Sequence, residues 1–120
     1  MKGTNYEAAA LKFVEASRVS LCRAGIWSAP KECALFANNA GFAYYKLAKY
    51  EESVIWINKA LAIDPKRSVA WLNLGDSYAK LKRNAEARQA YTNYLKLAPN
   101  SKSAPDVQKK LGALPAAHPE

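Results

Sequence analysis

Histidine is nearly missing from this chain: the single copy, His118, stands beside Pro119 among the last three residues. Nucleophilic triads need an imidazole held still by a supporting partner, and a terminal His next to Pro has none. Glycine-rich phosphate loops are absent too, since Gly41 and Gly75 are isolated. The ten acidic residues are scattered, and the only adjacent pair is Glu51-Glu52. That pair reads as the opening of a helix, where carboxylates favour the positive end of the dipole. These absences point away from an enzyme and give no reason to expect a cofactor. Cysteine is scarce as well: Cys22 and Cys33 lie 11 apart, a spacing that fits no zinc motif, so no metal site is expected. Either both are small buried hydrophobes, or they close a disulfide that pins a connector between two helices in an oxidising compartment.

Long apolar runs are also lacking. None approaches the roughly 20 residues that a membrane span requires. Residues 1–6 carry no apolar signal-peptide core behind Lys2, which gives a cytoplasmic default. An excised domain with a Cys22–Cys33 disulfide would instead belong in the periplasm or another extracytoplasmic space. Only five Gly and six Pro argue against a loop-rich β protein, and a chain that is 50% hydrophobic and 23% charged is not disordered by composition. What is plentiful is positive charge, +8 net, which invites an acidic partner. The Lys and Arg fall singly or in pairs, without aromatics interleaved to stack bases, so nucleic acid is not the expected ligand.

The dominant positive feature is an internal repeat. Segments beginning at Ala34 and Ser68 align without gaps at a period of 34 residues. Gly41 matches Gly75, Tyr44 matches Tyr78, Pro65 matches Pro99 and Asn39 matches Asn73. Each unit reads as two amphipathic helices. In the second unit Trp71, Leu74, Tyr78 and Leu81 recur at helical steps, followed across Arg83-Asn84 by Ala87, Tyr91, Tyr94 and Leu95. In the first, Ala37, Ala40, Gly41 and Tyr44 precede Val54, Ile57, Ala60 and Leu61. Asp64-Pro65 and Pro99 end the second helices, because proline removes a backbone donor and biases its predecessor away from helix. The mid-helix glycines cost up to about 1 kcal/mol relative to alanine, which implies a close helix–helix approach, with Tyr44 and Tyr78 filling the space beside it.

Trp71, Leu74, Gly75, Tyr78, Ala87, Tyr91 and Pro99 together resemble the tetratricopeptide repeat signature. Only Tyr94 departs in that unit, where the family has a small residue. The Ala34 unit matches through Gly41, Tyr44, Ser53, Ala60 and Pro65, but Ala37 and Ala40 replace the usual large apolar pair, a gap for Trp27 or Trp56 to fill. The resemblance implies an all-α fold, a short right-handed α-solenoid of antiparallel helix pairs with about six helices. The expected layout is an N-terminal helix and connector over 1–33, repeats over 34–67 and 68–101, and a capping helix within 102–114. Residues 24–30 read as an irregular connector, and Leu114 onward, including 115–120, as a frayed tail.

The resemblance further implies a concave groove lined by the first helix of each repeat. Its positions would be Asn38, Asn39, Phe42, Tyr45 and Lys46 in one repeat and Leu72, Asn73, Asp76 and Lys80 in the next. Lys110 would join them from the capping helix. An amide such as Asn39 or Asn73 offers both donor and acceptor, so it pairs with a peptide backbone regardless of side chain. The carboxylate clamp of some relatives is not reproduced, since Phe42 and Val69 stand where it needs polar groups. The leading expectation is therefore a peptide- or protein-binding adaptor, part of a larger protein of bacterial type. The alternatives are a small chaperone for a secreted or assembling subunit and a self-associating structural domain.

Overall fold

The computed structural model describes residues 30–115. Five helices follow one another: α1 (Pro30–Lys46), α2 (Tyr50–Ile63), α3 (Ser68–Lys80), α4 (Asn84–Leu97) and α5 (Ala104–Ala113). No strand occurs among the described residues. The expected N-terminal helix, Trp27 and His118 lie outside them. Helices α1 and α2 pack as one pair, α3 and α4 as the next, and α2 meets α3 between the pairs. Along one side α1 also touches α3, and α5 closes the stack against α4. The architecture is a short α-solenoid.

Helix boundaries follow from local chemistry. Helix α1 begins at Pro30, which the connector was expected to contain. Proline is well suited to a first helical position, where its missing N–H has no partner in any case. Glu51 and Glu52 occupy the first turn of α2, as their pairing suggested. The turns after α1 and α3 are alike. Ala48 and Lys82, both at φ 63°, occupy the left-handed region. Lys49 N–H reaches Tyr44 O at 2.9 Å and Ala48 N–H reaches Tyr45 O at 2.9 Å; Arg83 to Tyr78 and Lys82 to Ala79 repeat the pattern at 2.9 and 3.1 Å. Each is a Schellman cap, which satisfies carbonyls that the helix end would leave open. Glycine usually fills that position.

Two apolar clusters form the core. One gathers Val54, Ile57, Leu61, Ala70, Leu74 and Ala90; the other gathers Ala87, Tyr91, Tyr94 and Val107. Trp71 and Tyr78, half-buried, pack against both and join them. Trp71 Nε1 donates to Pro65 O at 2.8 Å, so the indole is fixed across the boundary between repeats. Ser53 and Ser77, both fully buried, share a hydrogen bond of 2.8 Å between α2 and α3. A buried hydroxyl without a partner costs about 1–3 kcal/mol, so the pair fixes how one repeat seats on the next.

The glycines mark the close helix–helix approach expected of them. A Cβ on Gly75 would strike the Tyr91 ring, with Cδ1 at 2.6 Å, and one on Gly41 would strike Ile57 and approach Ser53 O at 3.1 Å. Each glycine thus seats a side chain of the second helix in its own repeat. Ala34, Ala37, Ala40 and Ala43 are all buried, and Trp27, one of the two side chains expected to fill the space beside Ala37 and Ala40, lies outside the described residues. Trp56 is half-buried and carries Lys59 Nζ 4.9 Å over its ring. Tyr94, the oversized residue of the second repeat, is buried against Val107, and its hydroxyl bonds Ser101 Oγ at 2.7 Å. Leu114, expected in the frayed tail, packs on the same cluster, and Arg88 Nη2 donates to Pro115 O at 2.7 Å.

Two substitutions of opposite sign test this packing. Gly75→Ala should destabilise the domain by about 1–3 kcal/mol despite its gain in helix propensity, because the Tyr91 ring must move. Lys82→Gly should stabilise it by roughly 1 kcal/mol by relieving a left-handed non-glycine residue. Urea unfolding followed by circular dichroism measures both.

Candidate functional site

Helices α1 and α3 lie side by side and present one continuous face. Leu35, Phe42 and Val69 on it are 40%, 41% and 43% exposed. Among the described residues only Ile55 and Leu97, on α2 and α4, join them as exposed large hydrophobics. The fold leaves Leu35, Phe42 and Val69 partly uncovered along one face. Leu35 and Phe42 stand two helical turns apart, and Val69 repeats the position of Leu35 one unit on.

Between these apolar points sit the amides. Asn39 and Asn73 are half-buried at equivalent places, and Asn73 Nδ2 donates to Asn38 Oδ1 at 3.1 Å. Asn38, expected on the groove surface, is instead buried at 5% exposure. Its amide needs a partner there, and the bond cross-links α1 to α3. It therefore orients Asn73, whose second N–H and carbonyl oxygen make no bond among the described residues. The Asn39 side chain makes no hydrogen bond among the described residues. Leu72 is half-buried and contributes to the second core cluster.

An aromatic ladder forms the next stretch. Phe42 stacks on Tyr45 with ring centroids 6.5 Å apart, and Tyr45 tilts against Tyr50 at 5.5 Å. Lys46 Nζ sits 5.2 Å over the Phe42 ring, which holds its cation at the rim.

At the far end the polar groups converge on Asp76. Its Oδ1 accepts from Tyr91 Oη at 2.6 Å and from Lys110 Nζ at 3.1 Å. Tyr45, Asp76, Lys80, Tyr91, Lys110 and Leu114 line a cleft of about 340 Å³ there. Burial holds the Tyr91 phenol well above its ordinary range, and the hydrogen bond to Asp76 raises it further. Tyr45 is raised in the same direction, first by burial and then by the Asp76 and Tyr50 charges. Both phenols are therefore neutral donors at physiological pH. Tyr91 and Leu114 were missed as site residues. Tyr91 read as core from its helical register, and it is core; only the long reach of a tyrosine brings its hydroxyl through to the face.

Cys33 is buried in the first turns of α1 and is not a free thiol, while Cys22 lies outside the described residues. No group of three or more His, Cys, Asp or Glu able to hold a metal occurs among the described residues. None of the described helices is long and apolar enough to cross a membrane.

Paired helices at a fixed period, a glycine under each second helix and a polar, partly apolar face on the first helices define a helical repeat domain. The chain belongs to the tetratricopeptide repeat family, whose model matches residues 34–67 and 68–101. A curated relative, Protein O-mannosyl-transferase Tmtc3 of Drosophila melanogaster, is 34% identical over 83 residues. That match spans 69% of this chain and 9% of the fly protein. Among solved structures, the first TPR of Spaghetti (RPAP3) bound to the HSP90 peptide SRMEEVD aligns at TM-score 0.75 and 22% identity. It covers 92% of this chain and 80% of its own. The Arabidopsis OM64 TPR domain aligns at TM-score 0.75 and 25% identity, over 92% and 84% of the two chains.

The Asp76–Tyr91 bond has a measurable pH signature. The folded-state pKa of Tyr91 lies above the unfolded value near 10, so its contribution is complete below about pH 10 and is lost as pH rises further. Tyr91→Phe should cost about 1–2 kcal/mol near neutral pH, and its deficit should shrink above about pH 10.5, where the wild type forfeits the same stabilisation. Urea unfolding at the two pH values gives both numbers.

Proposed function

We propose that this chain is a protein–protein interaction module that binds an extended peptide or protein segment along the α1–α3 face, within a longer protein. The observation that carries this reading is the placement of Leu35, Phe42 and Val69. Three exposed apolar side chains line one face, with two equivalent amides set between them. An extended ligand offers side chains at alternating positions and peptide groups between, which is the complement of that spacing. The RPAP3 domain, of the same fold, holds a peptide. The absence of a carboxylate clamp at Phe42 and Val69 argues that this chain does not share that ligand.

The fly relative is an enzyme by name, but the chain spans 9% of it. In our reading the repeat unit supplies recognition and other segments supply any chemistry. The net charge of +8, with Lys46 and Lys80 at the rim of the face, favours a partner with acidic character. A bond between Cys33 and Cys22 would anchor the start of α1 and with it the first wall of the groove. Two repeats offer a short groove, so tight binding requires further contacts from the partner or the parent chain.

Selection of a displayed random-peptide library on the immobilised domain tests this. The combined variant Asn39→Ala, Phe42→Ala, Val69→Ala should keep its helicity, since all three side chains are at least partly exposed. It should bind the selected peptides at least about tenfold more weakly, a loss of roughly 1.4 kcal/mol. Peptides that bind the variant undiminished would place the site elsewhere.

A further inference from the structure

The cleft at the end of the face is not explained by backbone recognition. Two ammonium groups, Lys80 and Lys110, line it together with one carboxylate, Asp76. Asp76 is already engaged: Oδ1 takes the Tyr91 hydroxyl at 2.6 Å and Lys110 at 3.1 Å. Its side chain is 19% exposed, against 40% for Lys110, so the anion lies beneath and the cation stands toward solvent. Lys80 is exposed, with no ion-pair partner among the described residues. Among the lining residues two ammonium groups stand against one carboxylate, with the less exposed Asp76 beneath; Asp106, one turn before Lys110 on α5, adds a second negative charge near enough to act on Tyr91.

We propose that this cleft is a side-chain pocket for a carboxylate, an Asp or Glu of the bound segment, held between Lys80 and Lys110. The proposal rests on the α1–α3 face being the binding groove and assigns the chemistry of one position along it. Lys110 has three N–H donors and gives one to Asp76, which leaves two for an incoming carboxylate. Asp76 and Tyr91 are positioning residues: they hold the Lys110 ammonium over the cleft while Tyr91, fixed by Asp76, closes its floor. The neutral phenol of Tyr45 lines the same space and adds an O–H donor suited to an anion. A ligand ammonium would meet Lys80 and Lys110 first, so the pocket rejects cations by like-charge repulsion. Lys110 sits on α5, so the capping helix becomes part of the recognition site as well as a cover for the core.

Three capped hexapeptides, acetylated and amidated to remove terminal charge, provide the probe. They alternate Leu with Glu, with Gln or with Lys. Chemical-shift mapping on the folded chain follows Leu35–Phe42, Asp76–Lys80 and Lys110–Leu114 separately. The Glu peptide should bind about tenfold more tightly than the Gln peptide and shift the last two segments most. Lys80→Gln, which removes no described contact, should lower Glu-peptide affinity several-fold and leave the Gln peptide unchanged. If Glu and Gln peptides bind alike and shift Leu35–Phe42 equally, the groove stands and the carboxylate pocket is wrong. Preference for the Lys peptide would also overturn it, by making Asp76 the recognising group. If none of the three shifts the α1–α3 face, the groove reading itself fails.

Discussion

The structure depends on how closely the second helix of each repeat approaches the first, and Gly75 against Tyr91 sets that distance in the second repeat. With hydrogen in place of a methyl group, the Cδ1–Cε1 edge of the Tyr91 ring packs against α3 at Gly75. The ring then fills the core while its hydroxyl passes beyond α3 to reach Asp76 at 2.6 Å. Asp76 in turn orients Lys110 on α5. One missing Cβ thus connects core packing, the polar end of the face and the seating of the capping helix. Because interiors are close-packed, a shift at the first link is felt along all of it.

The first repeat reaches the same geometry with other residues. Gly41 faces Ile57, an aliphatic side chain with no polar tip, so nothing corresponds there to the Tyr91 hydroxyl. Phe42 occupies there the position that Asp76 holds in the second repeat. The two ends of the face consequently differ: apolar and aromatic along α1, charged between α3 and α5. The polarity gradient follows from two substitutions at equivalent repeat positions, on a backbone frame that is the same in both.

Much of this was legible from periodicity. The 34-residue register anticipated the four helices of the two repeats; Pro65 and Pro99 marked the ends of α2 and α4, and Glu51-Glu52 the start of α2. The family resemblance, more than periodicity, implied a common face for Phe42, Tyr45, Asn73 and Asp76. What it could not supply were distances across helices. Asn38 falls on the groove side of a helical wheel, yet the neighbouring α3 covers it, and burial of that kind is a tertiary property. Ala37 and Ala40 stand where large residues are usual, and both are buried all the same. Ala48 and Lys82 gave no turn signal, since left-handed caps are read from glycine and neither residue is one. The Asp76 hub was hidden for a similar reason, since its partners come from α4 and α5, 15 and 34 residues away.

The central claim is that the partner lies on the α1–α3 face and not on the outer helices. Site-specific photocrosslinking tests it most directly, because the described surface provides its own controls. A benzophenone amino acid introduced at Phe42 or Val69 should crosslink a peptide selected on the domain, whereas one at Ile55 or Leu97, equally exposed but on α2 and α4, should not. Equal or stronger crosslinking from Ile55 or Leu97 would contradict the account.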